Sequence, residues 1–290
     1  MSRLLLFNFG TFQETNRFKQ RALADGFLES DAMDDSAPPG ALTVAGGVQK
    51  RAATGATVSS FYGLRPDVWA GKASSERPYS AEFQTWMAGV LGRPVHCVYL
   101  TGHHEVLGAY AAMYWDLQGQ RVFYTYLGKV GELVFGVFDK TTKQAADKVA
   151  IETANLRAEC LLVLGFGCNV GAPNQSTRYQ GYFANGAKKP IVLGWATSME
   201  VPSAGSSVNA GFFDYLADYA KKNSSVPAKE RLRWFYDNQP MEVIRAWGRG
   251  VFGLQGKSSE TLRAGARARH HDGTYYRFEA KDGRAEPVKI

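Results

Sequence analysis

Three short apolar runs, each closed off by glycine or proline, constrain this chain more than any other feature. They are Val95-His-Cys-Val-Tyr-Leu100, Cys160-Leu-Leu-Val-Leu164 and Pro190-Ile-Val-Leu-Gly-Trp195. Runs this short do not make a buried helix, and apolarity that is continuous rather than alternating means that both faces are covered. Such strands belong inside a mostly parallel sheet flanked by helices. Helical patterns lie around them. Ser80 opens one that carries Phe83, Trp86, Met87, Val90 and Leu91 at helical spacing until Gly92-Arg93-Pro94 stops it. Another spans Asn209 to Lys222 with Phe212, Phe213, Tyr215, Leu216 and Tyr219. Strands alternating with helices give an α/β class.

The remaining segments fit the same frame. Residues 3–8 read as a first buried strand followed by a polar helical stretch to about Leu23, and residues 122–127 and 132–137 as a hairpin. Asp139 to Leu156 reads as a polar helix with an Ala/Val/Ile face, Pro240 to Phe252 as a last helix, and 274–279 with 286–290 as a terminal hairpin. The segment 31–56, rich in Gly, Ala, Pro, Ser and Asp without periodicity, reads as a surface loop. At 290 residues the expectation is one domain over 1–290, with 223–290 a C-terminal extension packed on it.

Composition removes several function classes. With 45% hydrophobic and 21% charged residues the chain is an ordinary globular one. Its net charge of +7 is spread along the sequence except at Arg263, Arg267 and Arg269, so a nucleic-acid stripe is not favoured. No apolar run approaches the roughly 20 residues that cross a bilayer, and Leu4-Leu5-Leu6-Phe7 is too short for a signal sequence, so no membrane partner and a cytoplasmic location are expected. Three cysteines with no C-x-x-C spacing argue against a disulfide framework and a zinc site. A single reactive thiol is compatible with them.

Two of the buried strands end in chemistry. One runs Val-Tyr-Leu-Thr-Gly-His103, the other Leu-Val-Leu-Gly-Phe-Gly-Cys168. Ligands of open α/β sheets bind beyond the carboxyl ends of the strands, so both side chains are expected on one edge. There an imidazole can take the thiol proton and later return one to a leaving amine. The flanking glycines permit a tight turn whose N–H groups face a developing oxyanion.

Thr101-Gly102-His103 and Gly167-Cys168, in that order, resemble the histidine and cysteine blocks of the caspase-like cysteine peptidases, a group with caspases, metacaspases, gingipains, separase and CHAT-domain proteases. The run 190–195 and the helix with Phe212, Phe213 and Tyr215 resemble the strand and helix after the cysteine in CHAT-type members, so the likeness covers roughly residues 95–222. It implies a three-layer sandwich with a mostly parallel central sheet, and a cysteine endopeptidase with Cys168 as nucleophile and His103 as general base. The oxyanion would be held by backbone groups of His104 and Gly167. It implies no organic cofactor and no metal, a protein or peptide substrate, and room for a regulatory protein partner. His104 stands where the family has glycine, which leaves open whether His103 or His104 is the base, with His103 matching the Gly-His block. Phe166 stands where metacaspase-like members have an aspartate for a basic substrate residue. Phe166, Trp195 and Glu200 are expected to line the substrate groove.

Other readings compete. A caspase-like fold without turnover would serve as a scaffold or binding module. Gly165-x-Gly167-x-x-x-Gly171 after a strand also resembles a dinucleotide-binding turn of a nicotinamide oxidoreductase, but residues 171–179 lack the apolar stripe of the helix that such a turn should open. A nucleophile elbow needs small residues two before and two after the nucleophile, where Phe166 and Val170 stand. Cys97 and Cys160 are expected as small buried hydrophobes, and His270-His271 as surface residues.

Overall fold

The computed structural model describes residues 4–9, 48–49, 58–62, 94–107, 110–116, 121–127, 132–139, 144–152, 158–198, 207–255 and 259–290. The expected helices over 10–23 and 80–91, Glu200, and all but residues 48–49 of the expected loop 31–56 lie outside them.

Among the described residues thirteen strands join in one sheet, and eight of its twelve strand pairings are antiparallel, which corrects the mostly parallel sheet expected from the sequence to a mixed one. Its centre is parallel: β1 (Leu4–Phe9) lies between β3 (Val58–Tyr62) and β4 (Cys97–Leu107), and β4 is followed by β9 (Leu162–Phe166) and β10 (Ile191–Trp195). Counted in chain order, these five strands stand 2-1-3-4-5, a doubly wound order. The three apolar runs became β4, β9 and β10, and Val98, Val163, Leu164 and Leu193 are fully buried there, as continuous apolarity requires. An antiparallel wing, β11 (Ala266–Arg269), β12 (Tyr275–Lys281) and β13 (Arg284–Lys289), extends the sheet beyond β10. The small strand β2 (Val48–Gln49), within the expected loop, pairs with β3.

Strand β4 does not stop at Leu100. Cys97–Gly102 pair with β1 and Cys97–Thr101 with β9, whereas His103–Leu107 turn to an antiparallel pairing with β5 (Tyr110–Asp116). A meander follows through β6 (Arg121–Leu127), β7 (Glu132–Asp139) and β8 (Gln144–Glu152). The hairpin read at 122–137 is β6–β7. The polar helix expected over 139–156 is corrected to strand β8, which places Val149 opposite Phe135 and Ile151 opposite Leu133. Its Ala, Val and Ile positions fit either period, and pairing with β7 decides the outcome.

Helices cover both faces of the parallel part. On one face Tyr99, Leu164, Phe166, Leu193 and Trp195 meet α2 (Val208–Asn223) and α4 (Pro240–Phe252) in a single apolar cluster, joined by α3 (Arg231–Asn238) and α5 (Ser259–Gly265). The α2–α4 crossing is close because Gly250 allows it: a Cβ there would lie 2.3 Å from the Val208 carbonyl oxygen. The other face is covered by α1 (Pro173–Tyr182), a helix that forms although residues 171–179 lack an apolar stripe. Its inward residues are Gln175, Ser176, Tyr179, Gln180 and Tyr182, a mostly polar face with no apolar stripe to read. Gln180 donates to the carbonyls of Pro190 (3.0 Å) and His270 (2.7 Å), which satisfies one of these polar groups inside the protein. Among the described residues, no helix is long and apolar enough to cross a membrane.

Candidate active site

Strands β4 and β9 run side by side, and their register pairs Thr101 with Phe166. His103 and Cys168 each stand two residues past this rung, Cys168 beyond the end of β9 and His103 where β4 exchanges its parallel partners for β5. Parallel neighbours are about 4.8 Å apart, so the two backbones are adjacent at the Thr101–Phe166 rung, two residues before each candidate. The side chain of His103 lies outside the described residues.

Cys168 sits half-buried in the turn Gly167–Gly171, between β9 and α1. The turn is tightly specified. Asn169 takes a left-handed conformation (φ 62°), which asparagine tolerates better than most residues. Its N–H donates to the Thr197 carbonyl at 3.1 Å, and the Gly171 N–H donates to the Trp195 carbonyl at 2.7 Å. Val170 folds back beneath β9 so closely that a Cβ on Gly165 would lie 2.1 Å from its Cγ1. A Cβ on Gly171 would lie 2.6 Å from the Gly194 carbonyl carbon.

These contacts also change the case against a dinucleotide turn. The absence of a following helix cannot count against it, because α1 begins at Pro173. Gly165 and Gly171 instead make room for the protein's own Val170 and Gly194. That accounts for the glycine spacing without a pyrophosphate.

The ring of His104 reaches this turn. Its ring is only 5% exposed, lies 5.8 Å from the ring of Tyr179 on α1, and is next to the main chain of Cys168. Its backbone is in the β4–β5 ladder opposite Met113. Burial lowers its pKa to about 4, against a smaller opposing influence from the Cys168 main chain, so the ring is neutral at pH 7. Neither ring nitrogen has a hydrogen-bond partner among the described residues.

A pH dependence follows, with its sign fixed by linkage. The unfolded ring, near 6.5, binds a proton that the folded ring refuses until about 4. Stability is therefore expected to be full above pH 6.5 and to fall as pH drops from 6.5 towards 4. The loss is on the order of 3 kcal/mol at the lower end. Urea unfolding of the wild type and His104→Phe at a series of pH values reads this directly. The variant's curve should be flatter over that interval, and parallel curves would refute the assignment.

Two expected groove residues are corrected. Phe166 is 1% exposed and Trp195 is fully buried; their rings meet at 4.9 Å, and both pack on Trp247 of α4. The indole N–H of Trp195 donates to the Leu262 carbonyl at 3.0 Å. Both residues belong to the core on the face opposite α1, because a strand buried on both sides sends alternate side chains into each layer. His270 is also buried rather than superficial, with Nδ1 2.9 Å from the Asp272 carboxylate.

The arginine cluster is structural. Arg263 donates to the Leu254 carbonyl, Arg267 to those of Ala264 and Ala266, and Arg269 to those of Pro173 and Gly273. Cys97, the first residue of β4, and Cys160, two residues before β9, are buried thiols. Burial pushes Cys160 up to about 12 and Cys97 well above the ordinary thiol value. Comparison of the chain with protein-family models, with curated proteins and with solved structures found no match.

Proposed function

We propose that this protein is a cysteine endopeptidase of the caspase-like kind, with Cys168 as nucleophile and His103 as general base. The observation that carries the reading is that His103 and Cys168 each stand two residues past the Thr101–Phe166 rung, the last at which β4 and β9 are parallel neighbours. Doubly wound sheets use this carboxyl edge for ligands. Layers of helix on both faces of a parallel centre are compatible with the caspase-like sandwich.

In the proposed reaction His103 accepts the Cys168 proton, and the thiolate sulfur bonds to the scissile carbonyl carbon. Peptide N–H groups of the Gly167–Cys168 turn and of His104 stabilise the oxyanion. His103 then gives its proton to the amine as the C–N bond breaks, leaving a thioester. Water, deprotonated by His103, attacks the thioester, and the released thiolate recovers the proton. The substrate is a protein or peptide, and the residues assigned need no metal or organic cofactor.

An electrophilic peptide probe, an acyloxymethyl ketone, tests the reading. Peptide mapping of the folded protein is expected to find it on Cys168 alone, since Cys97 and Cys160 are buried and held as thiols. Labelling of Cys97 or Cys160 instead would overturn it. An unlabelled Cys168 together with no turnover would favour a scaffold.

A further inference from the structure

Cys168 owes its place to residues far along the chain. The segment from Gly171 to Ser176, which joins its turn to α1, is gripped from the antiparallel wing. Tyr275 on β12 donates its hydroxyl proton to the Gly171 carbonyl at 2.5 Å. Arg269 on β11 spreads its guanidinium over three oxygens: Ser176 Oγ at 3.0 Å, the Pro173 carbonyl at 3.0 Å and the Gly273 carbonyl at 2.7 Å. The same guanidinium lies 4.9 Å from the centre of the Tyr275 ring, so the two side chains brace one another.

The load they carry is specific. Gly171 is fixed at both of its polar groups, by Trp195 on the N–H and by Tyr275 on the carbonyl. The Ala172 N–H closes the turn on the Asn169 carbonyl at 3.0 Å, and Asn169 is the residue held at φ 62°. Releasing Gly171 would let that strained turn relax, and Cys168 is next to it. A donor fork fits this task better than a lysine, because three acceptors at fixed angles need the planar guanidinium.

We propose that Arg269 and Tyr275 are positioning residues that hold the Cys168 turn in its reactive geometry, an inference that rests on the reading of Cys168 as the nucleophile. The wing β11–β13 is then a working part of the site and not an appendage.

The test uses the full chain with Tyr275→Phe, which removes one oxygen, and Arg269→Met, which keeps the side-chain length and removes the donors. Arg277→Ala, on the exposed part of β12, is the control. Two rates are read: capture of Cys168 by iodoacetamide at pH 7, and peptide turnover. Each variant is expected to slow thiol capture and to lower kcat about tenfold, with KM within about twofold, as a displaced nucleophile requires. Arg269→Lys should recover part of the loss, and Arg277→Ala should match the wild type. Near-UV circular dichroism checks folding; if Arg269→Met does not fold, Ser176→Ala removes one of its acceptors and is expected to slow capture as well. Wild-type capture rates in the folded variants would overturn the proposal, whatever happens to turnover. Slowed capture in a protein without peptidase activity would support the positioning role and count against the peptidase reading.

Discussion

Replacing Cys168 with alanine is expected to abolish peptide turnover, by at least about 10⁴-fold in kcat, with the fold intact. Among the described residues no other thiol stands at this edge: Cys97 begins β4 and Cys160 precedes β9, both are buried, and burial holds them protonated. His103→Ala should lose a similar factor, and the double variant little more, because a nucleophile and its base act as one unit. The informative companion is His104→Phe. It keeps the backbone N–H and an aromatic ring against Tyr179, and removes only the imidazole nitrogens. If His103 is the base, that variant should keep turnover within about tenfold of wild type, since a neutral ring with a pKa about 4 is poorly matched to proton transfer at pH 7. Loss of turnover in His104→Phe with retention in His103→Ala would move the base to the buried ring. Retention of full activity in Cys168→Ala would end the peptidase mechanism.

How much of this was legible in the sequence depends on where each element finds its partners. Strands β4, β9 and β10 could be read because being buried on both faces leaves a continuous apolar run. Helices α2 and α4 could be read from their apolar stripes, and the pairs β6–β7 and β12–β13 from alternation around turn residues. The misses share a cause. Helix α1 hides a polar inner face whose partners include Pro190, Arg269 and His270, distant in sequence. Strand β8 carries a pattern compatible with both periods until β7 is beside it. Strands β3, β5 and β11 and helices α3 and α5 have no counterpart among the expectations from the sequence.

The site divides in the same way. The strand-end position of Cys168 is a local property, legible from Gly-Phe-Gly-Cys after an apolar run. That His103 and His104 sit where β4 turns from its parallel partners to β5 is not local, because it depends on the pairing of His103–Leu107 with β5. Arg269 reads from the sequence as one of a basic cluster and Tyr275 as a residue of the terminal hairpin, and neither pattern points to the turn that they hold. Only the close approach of β11 and β12 to α1 shows their use.

Truncating Phe166 to alanine is expected to cost about 3–5 kcal/mol of stability, the range for a large buried aromatic. The ring lies 4.9 Å from Trp195, 5.7 Å from Trp247 and 5.3 Å from Tyr99, in edge or tilted arrangements that add to simple burial. Its neighbours come from β4, β10 and α4, so collapse into the gap would require several elements to move together. For a chain of this size the melting temperature should fall by roughly 10 °C. Phe166→Leu, which refills part of the volume, should lose clearly less. The measurement separates two roles that the sequence left side by side. A groove residue would change KM and leave stability within about 1 kcal/mol, as an exposed side chain does. A core residue would lower the melting temperature and leave the KM of the folded fraction unchanged. The burial of Phe166 predicts the second pattern, and with it a substrate groove that lies on the Cys168 side of the sheet edge rather than over the Phe166–Trp195 pair.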